Sequence, residues 1–263
     1  HGFGFHAGST AISQGILKVI EKSSARLYDW NLCVSQHDLR LGVRHGLLQE
    51  DNTSIIHAGI DLDAHRRDPQ KGQALRHQLG IPKDAPVVST IACLKPQKAP
   101  LDFVRFARRV RELVPNCHFI YVGDGDMRRE FINEIESASG LSAHFHFMGW
   151  TEQIVDVLSA STIFALLSLW EGLPRAIIEA RAAQLPCIVT RICGNPEAIQ
   201  DGVNGLLVPP GRPATAAEQA VKLLRAPEML ELLKENSTQN LDKFHIKHVV
   251  PQHIELYEKL LAS

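Results

Sequence analysis

The sequence predicts an α/β protein built on a doubly wound parallel sheet. Three observations carry that prediction. From Val87 onward, short apolar runs alternate with helical stretches. Six such runs fit between residues 87 and 210. Most consecutive pairs are separated by enough chain for a helix, which implies parallel pairing through right-handed crossovers.

The elements follow in order. HGFGFHAGST reads as a glycine-rich loop, after which Ser9 or Ser13 caps a helix ending near Leu27. Trp30–Ser35 and Thr53–Asp61 carry short strands, with a polar helix near 36–45 between them. Two short strands in 61 residues are too few for an independent sheet, so this block is expected to be the tail of a truncated domain. Residues 62–85 are polar and basic and read as a connector ending in a helix, with Gly80 at its C-cap. The strands then fall at 87–94, 117–123, 144–149, 162–168, 186–190 and 205–210. The helices between them fall at 100–113, 127–139, 152–160 and 174–183. Three more are expected at 213–225, 228–242 and 247–262.

Composition narrows the function. With 44% hydrophobic and 22% charged residues, the 263-residue chain matches an ordinary globular protein able to bury a core without staples. Basic and acidic residues number 28 and 29, which gives no electrostatic footprint for nucleic acid. Cys33, Cys93, Cys117, Cys187 and Cys193 are odd in number and lack C-x-x-C spacing. They are expected to be small buried hydrophobes in a reducing compartment, not zinc ligands. No apolar run reaches the roughly 18 residues of a membrane span. The chain begins at His1 inside a glycine-aromatic loop and is expected to be a piece of a longer protein.

In an open parallel sheet, ligands bind beyond the carboxyl ends of the strands. The loops after the strands therefore carry the chemistry. In LKPQKAP, Lys95 and Lys98 are placed at a helix N-terminus, where the dipole disfavours cations unless an anion joins them. In VGDGDMR, Gly123 and Gly125 form a G-x-G turn, read either as a tight turn or as a close approach to a phosphate. In LWEGLPRAIIEA, Glu171 follows a buried strand and Glu179 lies in an otherwise apolar helix. Glu179 pairs with Arg175 at i,i+4, or both glutamates accept from ligand hydroxyls. Gly194, Asn195 and Glu197 reach the same edge, as helix-cap chemistry or as site residues.

Taken together, these segments resemble family 4 retaining glycosyltransferases of the GT-B fold. EGLPRAIIEA looks like that family's paired-glutamate signature, and IHAGID, LKPQKAPLDF, VGDGDMR, FMGW and GNPEAIQDGVNGLLVPPG follow in its order. The resemblance implies one complete Rossmann-like sheet plus the tail of a truncated first Rossmann-like domain. The implied division is 1–61 on the acceptor side, 62–246 holding the nucleotide sugar, and 247–263 as a helix crossing back. By similarity, Lys98 contacts the diphosphate, Glu179 accepts from ribose and Glu171 accepts from the donor sugar. Gly172 and Leu173 lie against that sugar, Gly149 and Trp150 beside the base, and His1 near the reacting centre. Where family members often carry an arginine five residues before the loop lysine, this chain has Cys93. Lys95 or Arg175 is expected to supply that charge, with Arg175 favoured.

The function implied is transfer of a sugar from a UDP- or GDP-sugar to a glycan or lipid-linked acceptor. A nucleotide-sugar-binding module and a GT-B epimerase are the alternatives. The resemblance further implies a cytoplasmic protein with peripheral membrane association through missing N-terminal sequence. No Asp-x-Asp pair is read as a metal motif, so no metal or cofactor is expected and cations take that place. Without the rest of the first domain, Ile12, Ile16, Leu17, Leu32 and Val34 are expected to form an exposed patch. The chain is expected to bind nucleotide through 87–211 while transferring sugar poorly.

Overall fold

The chain, seen in a computed structural model describing residues 11–25 and 27–262, opens with helix α1 (Ala11–Ala25). Strand β1 (Asn31–Cys33), helix α2 (Gln36–Arg44) and strand β2 (Thr53–Ile55) follow. Ser35 caps α2 by accepting from the Asp38 amide, as a serine at that position does. β1 and β2 pair in parallel, Asn31 opposite Thr53 and Cys33 opposite Ile55.

Next comes α3 (Pro69–Gln78), started by Asp68, whose carboxylate accepts from the Gln70 and Lys71 amides. Then β3 (Val87–Ile91), α4 (Pro100–Leu113), β4 (His118–Val122), α5 (Arg128–Ser137) and β5 (Phe145–Gly149) alternate. They continue as α6 (Ile154–Ala160), β6 (Ile163–Leu166), α7 (Arg175–Ala182) and β7 (Cys187–Thr190). A short α8 (Asn195–Ala198), β8 (Gly205–Val208), α9 (Pro213–Arg225), α10 (Pro227–Glu235) and α11 (Ile246–Leu261) complete the chain.

The second sheet has six strands, all parallel, in the order β5-β4-β3-β6-β7-β8. Alternation along β4 divides its side chains between two faces. Phe119 and Tyr121 join Phe103, Phe106, Phe131 and Phe145 in the larger core. Ile120 and Val122 meet Leu75, Ile81, Val87 and Val157 on the other side.

That second face explains the basic segment before β3, which is more than a connector. α3 packs onto α6 so closely that a Cβ on Gly72 would lie 2.5 Å from the Ser159 carbonyl. Arg76 donates to the carbonyls of Ala160, Pro82, Lys83 and Ala85 and ties the whole approach to β3.

The expected helix over 228–242 ends early, at Glu235. Beyond it Asn236–Thr238 forms a 3₁₀ turn, against which Arg181 is buried. Its guanidinium donates to the carbonyls of Ser237 (2.8 Å), Ala198 (2.6 Å) and Gln239, which holds the chain beyond the helix end.

α11 runs back to the first strands. Val249 and Leu256 form a small core with Ile56, against which Trp30 and Leu260 pack. The Lys259 ammonium lies 4.5 Å from the Trp30 ring centroid. Of the five residues expected on an exposed patch, Ile12, Ile16 and Leu32 are exposed. Leu17 and Val34 are half-buried, Val34 because it packs against the larger core. Among the described residues, no helix is long and apolar enough to cross a membrane.

At the carboxyl edge the loops after β3 and β4 interlock. Leu94 donates to the Asp124 carbonyl, and Met127 donates back to that of Leu94. Gly123 has φ +133°, and a Cβ there would lie 2.0 Å from the Ala92 oxygen. A Cβ on Gly125 would lie 2.7 Å from the Leu94 oxygen. The G-x-G is thus explained by one loop lying on the other. Gly123→Ala must both strain the backbone and push the β3 loop away, costing about 3–5 kcal/mol of stability in urea unfolding.

At the opposite edge, three imidazoles cluster. His118 Nδ1 is 3.0 Å from His146 Nε2, and the His118 and His144 ring centroids are 4.6 Å apart. Burial, then His144, His146, Arg76 and Arg111, pushes His118 from 6.5 down to about 4. Burial also lowers His144 and His146, with Arg111 acting on the former and His144 on the latter. As pH falls from about 6.5 towards 4, the unfolded chain takes up protons that the folded one refuses, so stability is lost across that window. His118→Phe is expected to make the fall of Tm with pH shallower there, as measured by thermal denaturation.

Candidate active site

The strand order reverses between β3 and β6, and the loops leaving these neighbours open the crevice. After β3, Pro96–Lys98 makes one 3₁₀ turn, and Ala99 takes a left-handed φ of +47° before α4 begins. Lys98 therefore sits just ahead of the helix. After β6, an irregular loop with bends at Leu169 and Gly172 leads to Pro174, which precedes α7. The two loops are cross-tied: Leu169 donates to the Gln97 carbonyl at 2.8 Å, and Gln97 Nε2 donates to the Trp170 carbonyl at 3.0 Å.

This scaffold brings the first two expected site residues into direct contact. Lys98 Nζ donates to Glu171 Oε1, and Gln97 Nε2 reaches the other carboxylate oxygen at 3.5 Å. The side chains are only 19% and 6% exposed, so the pair is largely desolvated. The two residues expected to serve a phosphate and a sugar separately here neutralise each other. Their 73-residue separation hides this in the sequence.

Glu179 stands in α7, which follows the Glu171 loop, with its side chain 13% exposed. The expected Arg175 partner is present but distant, Nη2 to Oε1 3.9 Å. A second neighbour was not anticipated: His65 Nε2 lies 3.8 Å from the same oxygen. Neither distance is a hydrogen bond. His65 comes from a turn in the segment read as a connector, and no spacing rule links it to Glu179.

The glycines differ in role. Gly149 has φ +65° with open space around it, and Trp150 beyond it is exposed. The Gly172 carbonyl accepts from the Gly194 amide at 3.1 Å, and a Cβ on Gly194 would lie 2.1 Å from that oxygen. Leu173 is buried beneath this contact. The loop after β7 serves structure more than the crevice. Asn195 Nδ2 donates to the Thr190 carbonyl, and the Glu197 carboxylate accepts from the Gln36 and His37 amides at 2.9 and 2.8 Å. Glu197 thus satisfies the N-terminus of α2 across the chain.

Three further expectations need comment. Cys93 is exposed, not buried, because it falls just beyond β3 where the chain leaves the sheet. Two Asp-x-Asp spacings do occur, Asp61–Asp63 and Asp124–Asp126. Asp124 pairs with Arg128 and Asp63 with Arg66 and Lys247, while Asp61 accepts from the Asp63 and Ala64 amides. Asp61, Asp63 and His245 lie close enough to share an ion, but Lys247 already holds Asp63 at 3.1 Å. His1 lies outside the described residues.

The chain is similar to known glycosyltransferases. The chain is 30% identical over 210 residues to an Escherichia coli UDP-Gal:alpha-D-GlcNAc-diphosphoundecaprenol alpha-1,3-galactosyltransferase, covering 79% of this chain and 54% of that protein. It is 27% identical over 243 residues to an N-acetyl-alpha-D-glucosaminyl L-malate synthase of Bacillus anthracis, covering 88% and 62% respectively. Among solved structures, Anabaena HepE in complex with UDP and glucose superposes with a TM-score of 0.85 at 21% identity, over 93% of this chain and 67% of that one. A sucrose-phosphate synthase from Thermosynechococcus elongatus gives 0.84 at 21%, over 97% and 64%. The fold is the GT-B type. The family model for glycosyl transferases group 1 matches residues 72–240, which takes in β3 to β8 and every crevice loop described, and the chain belongs to that family.

Proposed function

We propose that the protein transfers a hexose from a nucleoside-diphosphate sugar to a glycan or lipid-linked acceptor, with retention at the anomeric carbon. The observation that carries this reading is the desolvated Lys98–Glu171 pair at the strand reversal. A departing nucleoside diphosphate gains negative charge, so a cation must already stand beside it. Lys98 supplies that charge from just before α4, whose amide dipoles add to it. When a donor enters, its phosphate competes with Glu171 for Lys98. The freed carboxylate then accepts from hydroxyls of the sugar. The bond from C1 to the diphosphate breaks with its electrons going to the nucleotide. An acceptor oxygen bonds to C1 on the face the diphosphate leaves, and its proton passes to an oxygen of the departing diphosphate.

The other roles are those the family resemblance implies. Glu179 accepts from ribose, Arg175 at the start of α7 supplies the second charge in place of the arginine missing at Cys93, and Gly149 and Trp150 flank the base. Gly172 and Leu173 back the sugar, and the family resemblance alone assigns His1, outside the described residues, to the reacting centre. The donor reading is supported by the E. coli relative, named for UDP-galactose, and by the HepE complex with UDP and glucose. The acceptor reading rests on the former's lipid-diphosphate substrate.

Lys98→Ala is expected to weaken UDP or GDP binding about 10- to 100-fold in calorimetric titration, as loss of one charge-assisted bond implies. Glu171→Gln is expected to leave nucleotide binding unchanged or tighter, since it frees Lys98, while lowering transfer from the sugar nucleotide. Equal loss of free-nucleotide binding in both variants contradicts these roles. Lys98 and Arg175 taking the place of a divalent cation predicts that transfer by the full-length protein survives EDTA. A strict requirement for magnesium or manganese overturns that mechanism.

A further inference from the structure

The donor reading gives Glu179 to ribose but assigns no role to His65, which stands beside it. His65 ends a short turn, Asp63–His65, held by the Asp61 carboxylate, which accepts from the Asp63 and Ala64 amides at 3.1 and 3.2 Å. Its Nδ1 lies 2.8 Å from the Asp61 carbonyl oxygen. A carbonyl cannot donate, so Nδ1 carries the proton, and in the neutral ring Nε2 is an acceptor. That Nε2 faces Glu179 Oε1 at 3.8 Å, with side-chain exposures of 18% and 13%. With the ring neutral, two largely buried acceptors stand side by side, with no hydrogen bond between them.

The chemistry complementary to two neighbouring acceptors is two neighbouring donors. A single hydroxyl has one proton and satisfies only one of them. A vicinal diol presents two O–H groups on adjacent carbons, one for each acceptor. Arg175 Nη2, 3.9 Å from Glu179 Oε1, offsets the carboxylate charge without occupying it.

We propose that His65 is a specificity-determining residue of the donor site, clamping the ribose diol together with Glu179 and so selecting ribonucleotide over deoxyribonucleotide. The proposal rests on the donor-site reading above. A ligand lacking one hydroxyl leaves one largely buried acceptor unpaired, which is how such a site rejects it.

The test is calorimetric titration of the 263-residue chain with UDP and GDP, then with the 2′-deoxy and 3′-deoxy forms of whichever binds more tightly. The unsubstituted protein is expected to bind both deoxy forms more weakly. His65→Phe is expected to weaken the ribonucleotide about 3- to 10-fold, as one neutral hydrogen bond implies, and to abolish discrimination for one of the two hydroxyls only. His65→Gln, whose amide oxygen accepts, is expected to restore that discrimination. If His65→Phe weakens all three ligands equally, or none, the clamp is wrong. Lys98→Ala separates the two levels. If it weakens binding while His65→Phe leaves discrimination intact, only the clamp falls. If no ribonucleotide binds, or Lys98→Ala has no effect, the donor site itself is misread and the clamp falls with it.

Discussion

A parallel sheet whose strand order reverses must open a gap where it does so. Right-handed crossovers leave the two neighbouring strands for opposite faces, so nothing fills the space between their carboxyl ends. In this protein the reversal lies between β3 and β6. The loops that leave these strands bring Lys98 and Glu171 together, although 73 residues separate them. The charged pair is thus a consequence of topology, and a largely desolvated pair of this kind is costly to break unless a ligand replaces each partner.

Conformational cost gathers at the same edge. Ala99 and Cys193 hold left-handed backbone, and Gly123 and Gly194 permit approaches that no side chain would survive. Ser168 Oγ and Asn195 Oδ1 are buried without hydrogen-bond partners among the described residues. A core designed only for stability would avoid such features, and they mark where loops have been fitted to one another and to the crevice. The opposite edge carries a different load, the stacked histidines of β4 and β5, whose burial favours the neutral form.

The two sheets are joined by polar and apolar contacts of distinct kinds. Glu197 accepts from the first amides of α2, and α11 returns to cover Ile56 and Trp30. Asp38, buried beside the capped start of α2, has its carboxyl raised by burial despite the Ser35 hydroxyl bonded to it. The join is therefore anchored at a helix terminus, where unpaired amides attract a carboxylate.

Much of this was legible in the sequence because it depends on local periodicity. The strand at 118–122, the amphipathic helix Pro100–Leu113 and the glycine turn at 123–125 follow from alternation, helical spacing and turn chemistry. The motif order also pointed to the family, and Lys98, Glu171 and Glu179 were named as site residues on that basis. What the sequence could not decide was which of them touch. Glu171 meets Lys98, Glu179 has His65 as a neighbour, and Glu197 turns away to cap α2. Arg181 donates to the Ser237 and Gln239 carbonyls, more than fifty residues downstream and just past the end of α10. Periodicity is a property of neighbours along the chain, whereas these pairings are set by which strand ends the sheet order makes adjacent, and that order exists only once the fold is formed.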